Sequence, residues 1–572
     1  MSSSIKRLVA LFKKDANEQE DGPRSVNIFL GFFFMINIVL GTGFLSIPYG
    51  FYHSGILPSI FTLLFITFLS WLTANWVVEA MARAQAYIDY KEHKDIQGAS
   101  DPHFYISMSR KFEQSEMCFL FAGQWLKLSY IAVIVLLTFI SVATYSTVAG
   151  SAWSVNIPFN FWNMKQCHDD DFRNNLFPKD EECGNAYRFC VFIFACIVIF
   201  LSVLPLKEQA IVQVILGLLR FLTIGAIVIY CLVKLFSDDV IDNCSNPLYE
   251  PDVDILNISN FSSNFSIPIF NEANSTETFL QIFLKFNGRS WMVSVALYSF
   301  AAGLSPAVPA LTHPIKRKEW LRGYLIALYV TIGFMYLILG IVVSLWFKDC
   351  IVETCTLNWE PLSRPGRAKE LRALSYIIIL FPSIDVCSAF PLAIHIVANN
   401  LYTIIFGKDT TEHKTCKFFF FQFLLKLMTA TLPFAVSMFV ANLVTIVTFA
   451  GLFGYFLSFY YPIILQILSQ WTCYKTFAAS SGQNLPRASL FNFMNCISDT
   501  SQVDIPNNGK ETKPLLIQPP PKTSSNKLQF FTDSRLYYTP YSIPFLSSPA
   551  VVIAVGIVTF SFLILTIVSL II

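Results

Sequence analysis

The chain has 572 residues, of which 54% are hydrophobic and only 14% are charged, and its formal net charge at pH 7 is +2. Soluble domains carry about 25% charged residues, so this composition indicates a polytopic membrane protein of the all-α class. A net charge so close to zero argues against a broad nucleic-acid-binding surface. The sequence has no P-loop, HExxH or GxSxG pattern, so neither an ATP-driven pump nor an enzyme is expected.

Apolar stretches bounded by polar loops predict about eleven membrane-spanning helices, because a helix needs roughly 20 apolar residues to cross a bilayer. The predicted spans cover residues 26–52, 56–82, 117–150, 187–205, 209–236, 289–311, 320–347, 371–405, 418–440, 443–470 and 546–572. The chain then divides into an N-terminal tail (1–25), a first set of five helices (26–236), a loop (237–288), a second set of five helices (289–470), a polar segment (471–545) and an eleventh helix (546–572). The polar segment is rich in Pro, Ser and Asn, which is typical of disordered chain.

The first predicted span, VNIFLGFFFMINIVLGTGFLSIPYGFY, is interrupted by Gly41 and Gly43. Irregular backbone in a membrane is found only where it lines a cavity or binds a ligand, and many secondary transporters build their substrate site from such broken helices. The sixth span is interrupted in the same way by the sequence AAGLSP at 301–306. First and sixth spans broken alike are typical of an inverted five-plus-five repeat. The alternative interpretation of these small residues is a helix-packing face.

Charge and glycosylation signals predict the orientation of the chain. Lys and Arg residues precede the first span and follow the second and the sixth, which places the N-terminus in the cytosol. Five acceptor sequences in one polar loop indicate a glycosylated, lumenal or extracellular loop, and an odd number of spans puts the C-terminus on that same side. The acceptors are Asn243, Asn257, Asn260, Asn264 and Asn274.

Five cysteines are predicted to lie on this same oxidising face, where disulfides can form. They are Cys167, Cys183, Cys244, Cys350 and Cys355. Because their number is odd and several pairings are possible, the sequence leaves the connectivity open.

A sorting signal is predicted in the cytosolic segment, where Glu511 stands four positions before the pair Leu515 and Leu516. This pattern resembles the dileucine signals that clathrin adaptors recognise on lysosomal cargo. We therefore expect an endolysosomal membrane as the location, with the plasma membrane as the second possibility.

Three stretches carry a resemblance to a known family. They are NIVLGTG at 37–43, YSF at 298–300, and FAGLFG at 449–454 followed by Tyr461-Pro462. They resemble the amino acid/auxin permease family of the APC superfamily, which includes the sodium-coupled neutral amino acid transporters, and within it the transmembrane protein 104 family. The resemblance implies a LeuT-type five-plus-five inverted repeat with broken helices 1 and 6, plus one extra C-terminal helix.

The resemblance also implies a substrate site at the two breaks. Amides of the first span would bind a substrate carboxylate, carbonyls of the sixth span would bind its ammonium, and Gly303 would leave room for its side chain. For each position, helix packing is the alternative. The residues concerned are Gly41, Thr42 and Gly43 on the carboxylate side and Tyr298, Ser299, Ala301 and Gly303 on the other.

A coupling-ion site is implied between the first and eighth spans. Its expected ligands come from Ile36, Asn37, Val39, Asp385, Cys387 and Ser388. The thiol of Cys387 is a poor ligand for sodium, which prefers hard oxygen donors. Asp385 is a carboxylate in an apolar helix, where ionisable groups usually face a cavity, a partner or an ion path. Proton coupling is therefore slightly favoured over sodium coupling. Arg220 in the fifth span either neutralises a carboxylate or anchors the helix bundle, and the structural role is the favoured interpretation.

The sequence thus predicts a secondary active transporter, a symporter driven by protons or sodium, for amino acids or similar small zwitterions. The alternative is a non-transporting amino acid sensor, or transceptor, which would use the same site to signal to a cytosolic partner. The expected partners are the amino acid, the lipid bilayer and clathrin adaptors, with no nucleic acid. No cofactor or metal is expected beyond the coupling ion.

Overall fold

The computed structural model describes most of the predicted spans and leaves out the termini and the longest loops. The described residues are 32, 36, 39–94, 110, 112–158, 163–172, 177–178, 180–202, 206–236, 283–303, 305–312, 315, 318–363, 369–406, 416–480, 539, 541–543 and 545–571. The five predicted glycosylation sites and the predicted sorting signal lie outside these residues, as does Asn37.

Helices account for nearly all of the described chain. Those of eight or more residues are α1 (Ile47–Ser54), α2 (Ile56–Lys94), α3 (Gln114–Ala122), α4 (Gln124–Asn156), α5 (Glu181–Leu201), α6 (Leu206–Phe236), α7 (Gly288–Ala302), α8 (Leu321–Phe347), α9 (Lys369–Phe406), α10 (Cys416–Ser437), α11 (Leu443–Tyr455), α12 (Tyr461–Ser480) and α13 (Pro549–Ile571). A π-helical turn, Phe456–Tyr460, joins α11 to α12.

Seven of the described helical stretches are long and apolar enough to cross a membrane. They lie at Ile56–Lys91, Gln124–Asn156, Glu181–Leu201, Ile215–Phe236, Leu321–Phe347, Leu443–Thr476 and Pro549–Val568. The predicted class, an all-α multi-pass membrane protein, is therefore confirmed. The number of eleven spans, the domain bounds and the inverted repeat stay predictions.

Several helix starts and turns follow directly from the sequence. Asn287 and Asn442 cap α7 and α11, because each amide side chain accepts a hydrogen bond from the backbone N–H three residues later. Gly55 separates α1 from α2 at φ +98°, a left-handed conformation that favours glycine. A β-carbon at Gly55 would also lie 1.8 Å from the carbonyl oxygen of Lys285. These residues fix where the central helices begin and turn.

The two interrupted spans lie at the centre of the helix bundle. Helix α7 packs against α1, α2, α11 and α13, and α8 packs against α1, α2 and α6. Helices α7 and α11 approach each other closely: a β-carbon at Gly451 would lie 2.1 Å from the carbonyl oxygen of Ala296. Glycine at 451 thus allows two backbones to touch.

A buried charge pair ties α2 to the end of the chain. Glu79 and Arg83, both fully buried, form an ion pair of 2.7 Å one helical turn apart. Gln466 donates to the Glu79 carboxylate and accepts from Arg83, which also donates to Ser469, while Ser542 and Ser547 donate to Glu79. Because each charge has several partners, the segment that precedes α13 is held against the bundle.

The described part of the connection between α8 and α9 is buried. Residues 350–363 are all buried, and the 3₁₀ segment Cys355–Trp359 packs against α1 and the turn before it. A disulfide joins Cys167 to Cys183, Cys350 is also disulfide-bonded, and Cys355 is a free buried thiol. The cysteines that the sequence left unassigned therefore include one pair, which joins the connection between α4 and α5 to the first turn of α5.

Candidate functional site

The first span is interrupted where the glycines predict it. Leu40 N–H donates to the Ile36 carbonyl at 2.8 Å, which closes the last α-helical turn. The chain then bends through Gly41 and Thr42, continues as the 3₁₀ turn Gly43–Ser46, and resumes as α1. The regular i to i+4 hydrogen bonds therefore stop at this point, which leaves carbonyls and amides available for other partners.

The sixth span is interrupted in a similar way. Helix α7 ends at Ala302, Gly303 is extended at φ −75° and ψ 95°, and a 3₁₀ turn, Ser305–Ala307, leads into the short helix Val308–Thr312. The Gly303 N–H makes only a long bond of 3.4 Å to the Phe300 carbonyl. Both breaks expected from the sequence are thus present.

The two breaks meet at Gly43 and Ala301. A β-carbon at Gly43 would lie 2.8 Å from the α-carbon of Ala301 and 2.9 Å from its β-carbon. No ligand group fits between these two residues in this conformation, so Gly43 serves the close approach of the helices here. Gly41 is half-buried at the bend.

Tyr336 on α8 joins the breaks through one hydroxyl group. Its oxygen lies 3.2 Å from the carbonyl oxygen of Val39 and 3.1 Å from that of Ala301, and the side chain is fully buried. Both carbonyls stand at the end of an interrupted helix. A hydroxyl has one hydrogen to donate, so it can fully satisfy only one of the two acceptors at a time.

Two hydroxyl groups at the breaks have no hydrogen-bond partner among the described residues. They belong to Thr42 in the first span, which is 3% exposed, and to Ser305 in the sixth, which is 1% exposed. Buried polar groups in proteins are rarely left unpaired, and an unmatched one calls for an explanation such as a bound ligand. The polar groups at the breaks therefore fit a small polar ligand.

The other predicted substrate residues have protein neighbours. Tyr298 packs beside Phe51, and a β-carbon on Gly50 would lie 3.1 Å from the Tyr298 hydroxyl. The Ser299 hydroxyl donates to the carbonyl of Val295 at 2.7 Å, within its own helix. The Ser299 side chain is thus bonded within its own helix, and the Tyr298 ring packs against α1.

Gly303 does not leave an open space beside it. A β-carbon there would lie 2.8 Å from the Ser458 hydroxyl, which belongs to the π-helical turn between α11 and α12. Such π-turns occur frequently at functional sites. Ser458 therefore forms a third wall beside the two breaks, and the room that the sequence predicted at Gly303 is partly filled by this side chain.

The buried carboxylate of Asp385 has a partner, because the Arg220 guanidinium on α6 forms an ion pair with it. The two residues are 4% and 3% exposed, respectively. Tyr145, Tyr336 and Cys387 lie close enough to the pair to interact with its charges. Arg220 is thus more than an anchor of one helix, since it neutralises a charge on α9.

The predicted ion ligands already have protein donors. The Ile36 carbonyl accepts from Leu40, the Val39 carbonyl from Tyr336, and the Asp385 carboxylate from Arg220. Cys387 is a half-buried free thiol, and the side chain of Ser388 lies outside the described set. These groups are brought to the same region through Tyr336 and Arg220.

Sequence reasoning missed Tyr336 and Ser458 as parts of this region, while Ser305 lay inside the predicted break but was not singled out. Tyr336 is one of 23 tyrosines and Ser458 one serine in an apolar stretch, so neither residue type stands out. Arg220 was visible as a rare charge within a span, and its sign opposite to that of Asp385 was the one available signal for the pair.

Two interrupted helices in contact, inside a multi-pass helical bundle, are the arrangement of many secondary transporters. Residues 24–481 match the family described as transmembrane amino acid transporter protein, and the chain belongs to this family. The family expected from the resemblance is therefore confirmed.

Among individual proteins, the chain is similar to members of one branch. It is 25% identical to a transmembrane protein 104 homolog of Caenorhabditis elegans over 381 residues, which covers 66% of this chain and 68% of the relative. It is 23% identical to the Drosophila melanogaster homolog over 506 residues, with 80% and 91% covered. Human transmembrane protein 104 is 21% identical over 423 residues, with 67% and 76% covered.

Proposed function

We propose that the protein is a secondary active carrier that moves amino acids, or similar small zwitterions, across a membrane. The observation that supports this most strongly is the contact between the two helix breaks, where Tyr336 bonds a carbonyl of each break and each break carries a buried hydroxyl without a described partner. Membership in a family of amino acid transporters gives this arrangement a substrate class.

In the proposed site, the two ends of the zwitterion bind to different breaks. The amides and the hydroxyl of Gly41 and Thr42 bind the carboxylate, because helix N-termini and free N–H groups favour anions. The carbonyls of α7, including that of Ala301, accept from the ammonium. Since Gly43 and Ala301 touch in the described conformation, substrate entry requires the two breaks to separate. The inverted five-plus-five repeat is the proposed framework for that movement.

Proton coupling is the proposed driving reaction, with sodium coupling as the alternative. A sodium site needs hard oxygen ligands whose charge is not already matched. Here the Asp385 carboxylate is paired with Arg220, a guanidinium that stays charged at any physiological pH. A proton that binds to Asp385 would neutralise the carboxylate and break this pair. The carrier would then have two electrostatic states, one with the ion pair intact and one with a neutral Asp385. The first and eighth spans remain the proposed place of coupling.

We further propose that the N-terminus faces the cytosol and that the loop 237–288 faces the lumen. The disulfides at Cys167–Cys183 and at Cys350 support this orientation, because disulfides persist on oxidising faces and both connections fall on the predicted lumenal side.

An endolysosomal location is proposed from the dileucine pattern at Leu515 and Leu516. Leu515→Ala combined with Leu516→Ala should move the protein to the plasma membrane, as measured by surface biotinylation. A matched change of Pro519→Ala and Pro520→Ala should leave the distribution as it was. If surface biotinylation of the paired leucine variant is unchanged, the dileucine pattern is not a sorting signal.

The carrier is tested with the full-length protein reconstituted into vesicles. Uptake of each of the twenty proteinogenic amino acids is measured under an inward proton gradient, an inward sodium gradient or neither, and binding is measured in parallel by thermal shift. Accumulation of an amino acid under the proton gradient alone is the expected result. Binding without flux under any gradient would instead favour the sensor, and neither binding nor flux contradicts both.

A further inference from the structure

Tyr336 belongs to neither interrupted helix, yet its hydroxyl contacts both. We propose that Tyr336 is the positioning residue for the substrate ammonium, which it serves by aiming the carbonyls of Val39 and Ala301 at one point. This inference rests on the proposed function, and it names a residue that makes the proposed site specific for ligands with an amino group.

The geometry gives the hydroxyl this role. The two carbonyl oxygens lie 3.2 Å and 3.1 Å from the same hydroxyl oxygen, although they belong to helices 262 residues apart in sequence (301 − 39). Two carbonyl dipoles that point at one place repel each other unless a donor stands there. The fully buried Tyr336 side chain supplies that donor and so keeps both carbonyls turned inward.

Because the Tyr336 hydroxyl has one hydrogen for two carbonyl acceptors, one of the carbonyls remains available to the ligand. When the hydroxyl donates to Val39, the carbonyl of Ala301 lacks a donor, and the reverse holds when it donates to Ala301. A substrate ammonium brings three N–H donors and a positive charge, so it fills the missing bond. A ligand without N–H groups leaves a buried carbonyl unpaired, and sites of this kind reject such ligands strongly.

The ion pair between Arg220 and Asp385 reduces the electrostatic cost of binding the substrate ammonium near Tyr336. Arg220 lies close enough to act electrostatically on the Tyr336 hydroxyl, and its charge alone would oppose an ammonium there. Asp385 neutralises it. An ammonium at Tyr336 therefore meets less repulsion than it would beside an unpaired guanidinium.

The experiment uses the full-length protein and two variants of α8. Tyr336→Phe removes the bridging hydroxyl and keeps the ring. Tyr329→Phe removes a hydroxyl from the same helix that is 2% exposed and has no hydrogen-bond partner among the described residues, so it is the matched control. The ligands are the twenty proteinogenic amino acids, each compared with the carboxylic acid that lacks its amino group, and the readouts are dissociation constant and melting temperature.

Tyr336→Phe should weaken binding of amino acids about 10-fold, the effect of one hydrogen bond, and leave binding of the des-amino acids unchanged. Tyr329→Phe should change neither. An equal loss for both classes of ligand, or the same loss in Tyr329→Phe, would mean a structural role only and overturn the inference. Normal amino acid binding by Tyr336→Phe overturns it as well while leaving the proposed function intact. If no amino acid binds the unmodified protein, the proposed function and the ammonium assignment both fail.

Discussion

Arg220 and Asp385 illustrate at the residue scale how a charge survives inside a membrane protein. Both side chains are almost completely buried, and each is the other's counter-ion. Removing one partner leaves an unmatched buried charge, which costs about 3–5 kcal/mol. Replacing both by neutral groups that can still bond to each other avoids most of that cost.

We therefore expect Arg220→Gln and Asp385→Asn each to lower stability by about 3–5 kcal/mol, and the double variant to regain most of the loss. Thermal unfolding in detergent measures this. Single variants that are no less stable than the unmodified protein would contradict the pairing.

The same double variant distinguishes a structural role of the pair from a role in proton coupling. If the pair carries the proton, the double variant should bind and exchange amino acids in vesicles but should not accumulate them under a proton gradient. Retained accumulation would leave the pair with a structural role alone.

Thr42 and its unpaired hydroxyl give a second residue-scale prediction. Thr42→Val keeps the shape and removes a buried hydroxyl without a described partner, so the empty protein should gain about 1–2 kcal/mol of stability. Amino acid affinity should fall, because the substrate carboxylate loses a donor. Unfolding and binding are measured on the same preparation.

Thr67→Val is the matched control for this experiment. Thr67 also has a buried hydroxyl without a described partner, but it belongs to α2, beside Gly333 of α8, and not to an interrupted span. It should raise stability and leave affinity unchanged. Equal affinities for Thr42→Val and the unmodified protein would exclude Thr42 from the site.

At the scale of elements, the contact between α7 and α11 depends on a single glycine. In Gly451→Ala, the new β-carbon would lie 2.1 Å from the Ala296 carbonyl oxygen, and a backbone atom cannot turn aside as a side chain does. We expect the helices to separate, with a loss of about 3 kcal/mol or more, and transport to fall with it.

Gly323→Ala provides the comparison, because nothing lies within 4 Å of the added carbon there. Alanine is the better helix former, so this variant should be as stable as the unmodified protein or gain up to about 1 kcal/mol. Melting temperatures measure the difference. Similar values for the two variants would show that α7 and α11 are not in backbone contact.

The sequence predicts some elements well because their cause is local. Glycines and prolines inside apolar stretches fixed the positions of the two breaks in advance. The π-helical turn Phe456–Tyr460 could not be anticipated in this way, since FLSFY contains no residue type that marks it. The network around Glu79 was equally hidden, because its partners Gln466 and Ser547 are distant in sequence.

For the molecule as a whole, hydropathy correctly indicated the class, and short motifs correctly indicated the family that the match of residues 24–481 shows. What they could not supply is the set of contacts between distant segments. Arg220 and Asp385 are 165 residues apart, and Tyr336 reaches carbonyls from two other spans. Pairing of this kind is determined by the packed arrangement of helices, which no local pattern encodes. The positions of the two helix breaks were therefore predictable, while the partners of the residues around them were not.

Two independent signals predict the same orientation of the whole chain in the membrane. Five acceptor sequences lie between 237 and 288, and disulfides are present in the connections that follow α4 and α8. Glycans are attached and disulfides persist on the same side of the membrane, and an odd number of predicted spans separates each of these connections from the N-terminus.

Enzymatic deglycosylation of the full-length protein should therefore shift it to a faster band on a gel. Combined Asn257→Gln, Asn260→Gln and Asn264→Gln substitutions should reproduce part of that shift, because acceptors 243 and 274 remain. Asn271→Gln, which lies in the same loop but in no acceptor sequence, gives the control for amide replacement. After selective permeabilisation of the plasma membrane, antibody should reach a tag at the N-terminus, whereas a tag in the 237–288 loop should be reached only when internal membranes are opened as well. If the 237–288 loop is reached only from the cytosol, the orientation is reversed, and the proposed lumenal and cytosolic faces exchange throughout the molecule.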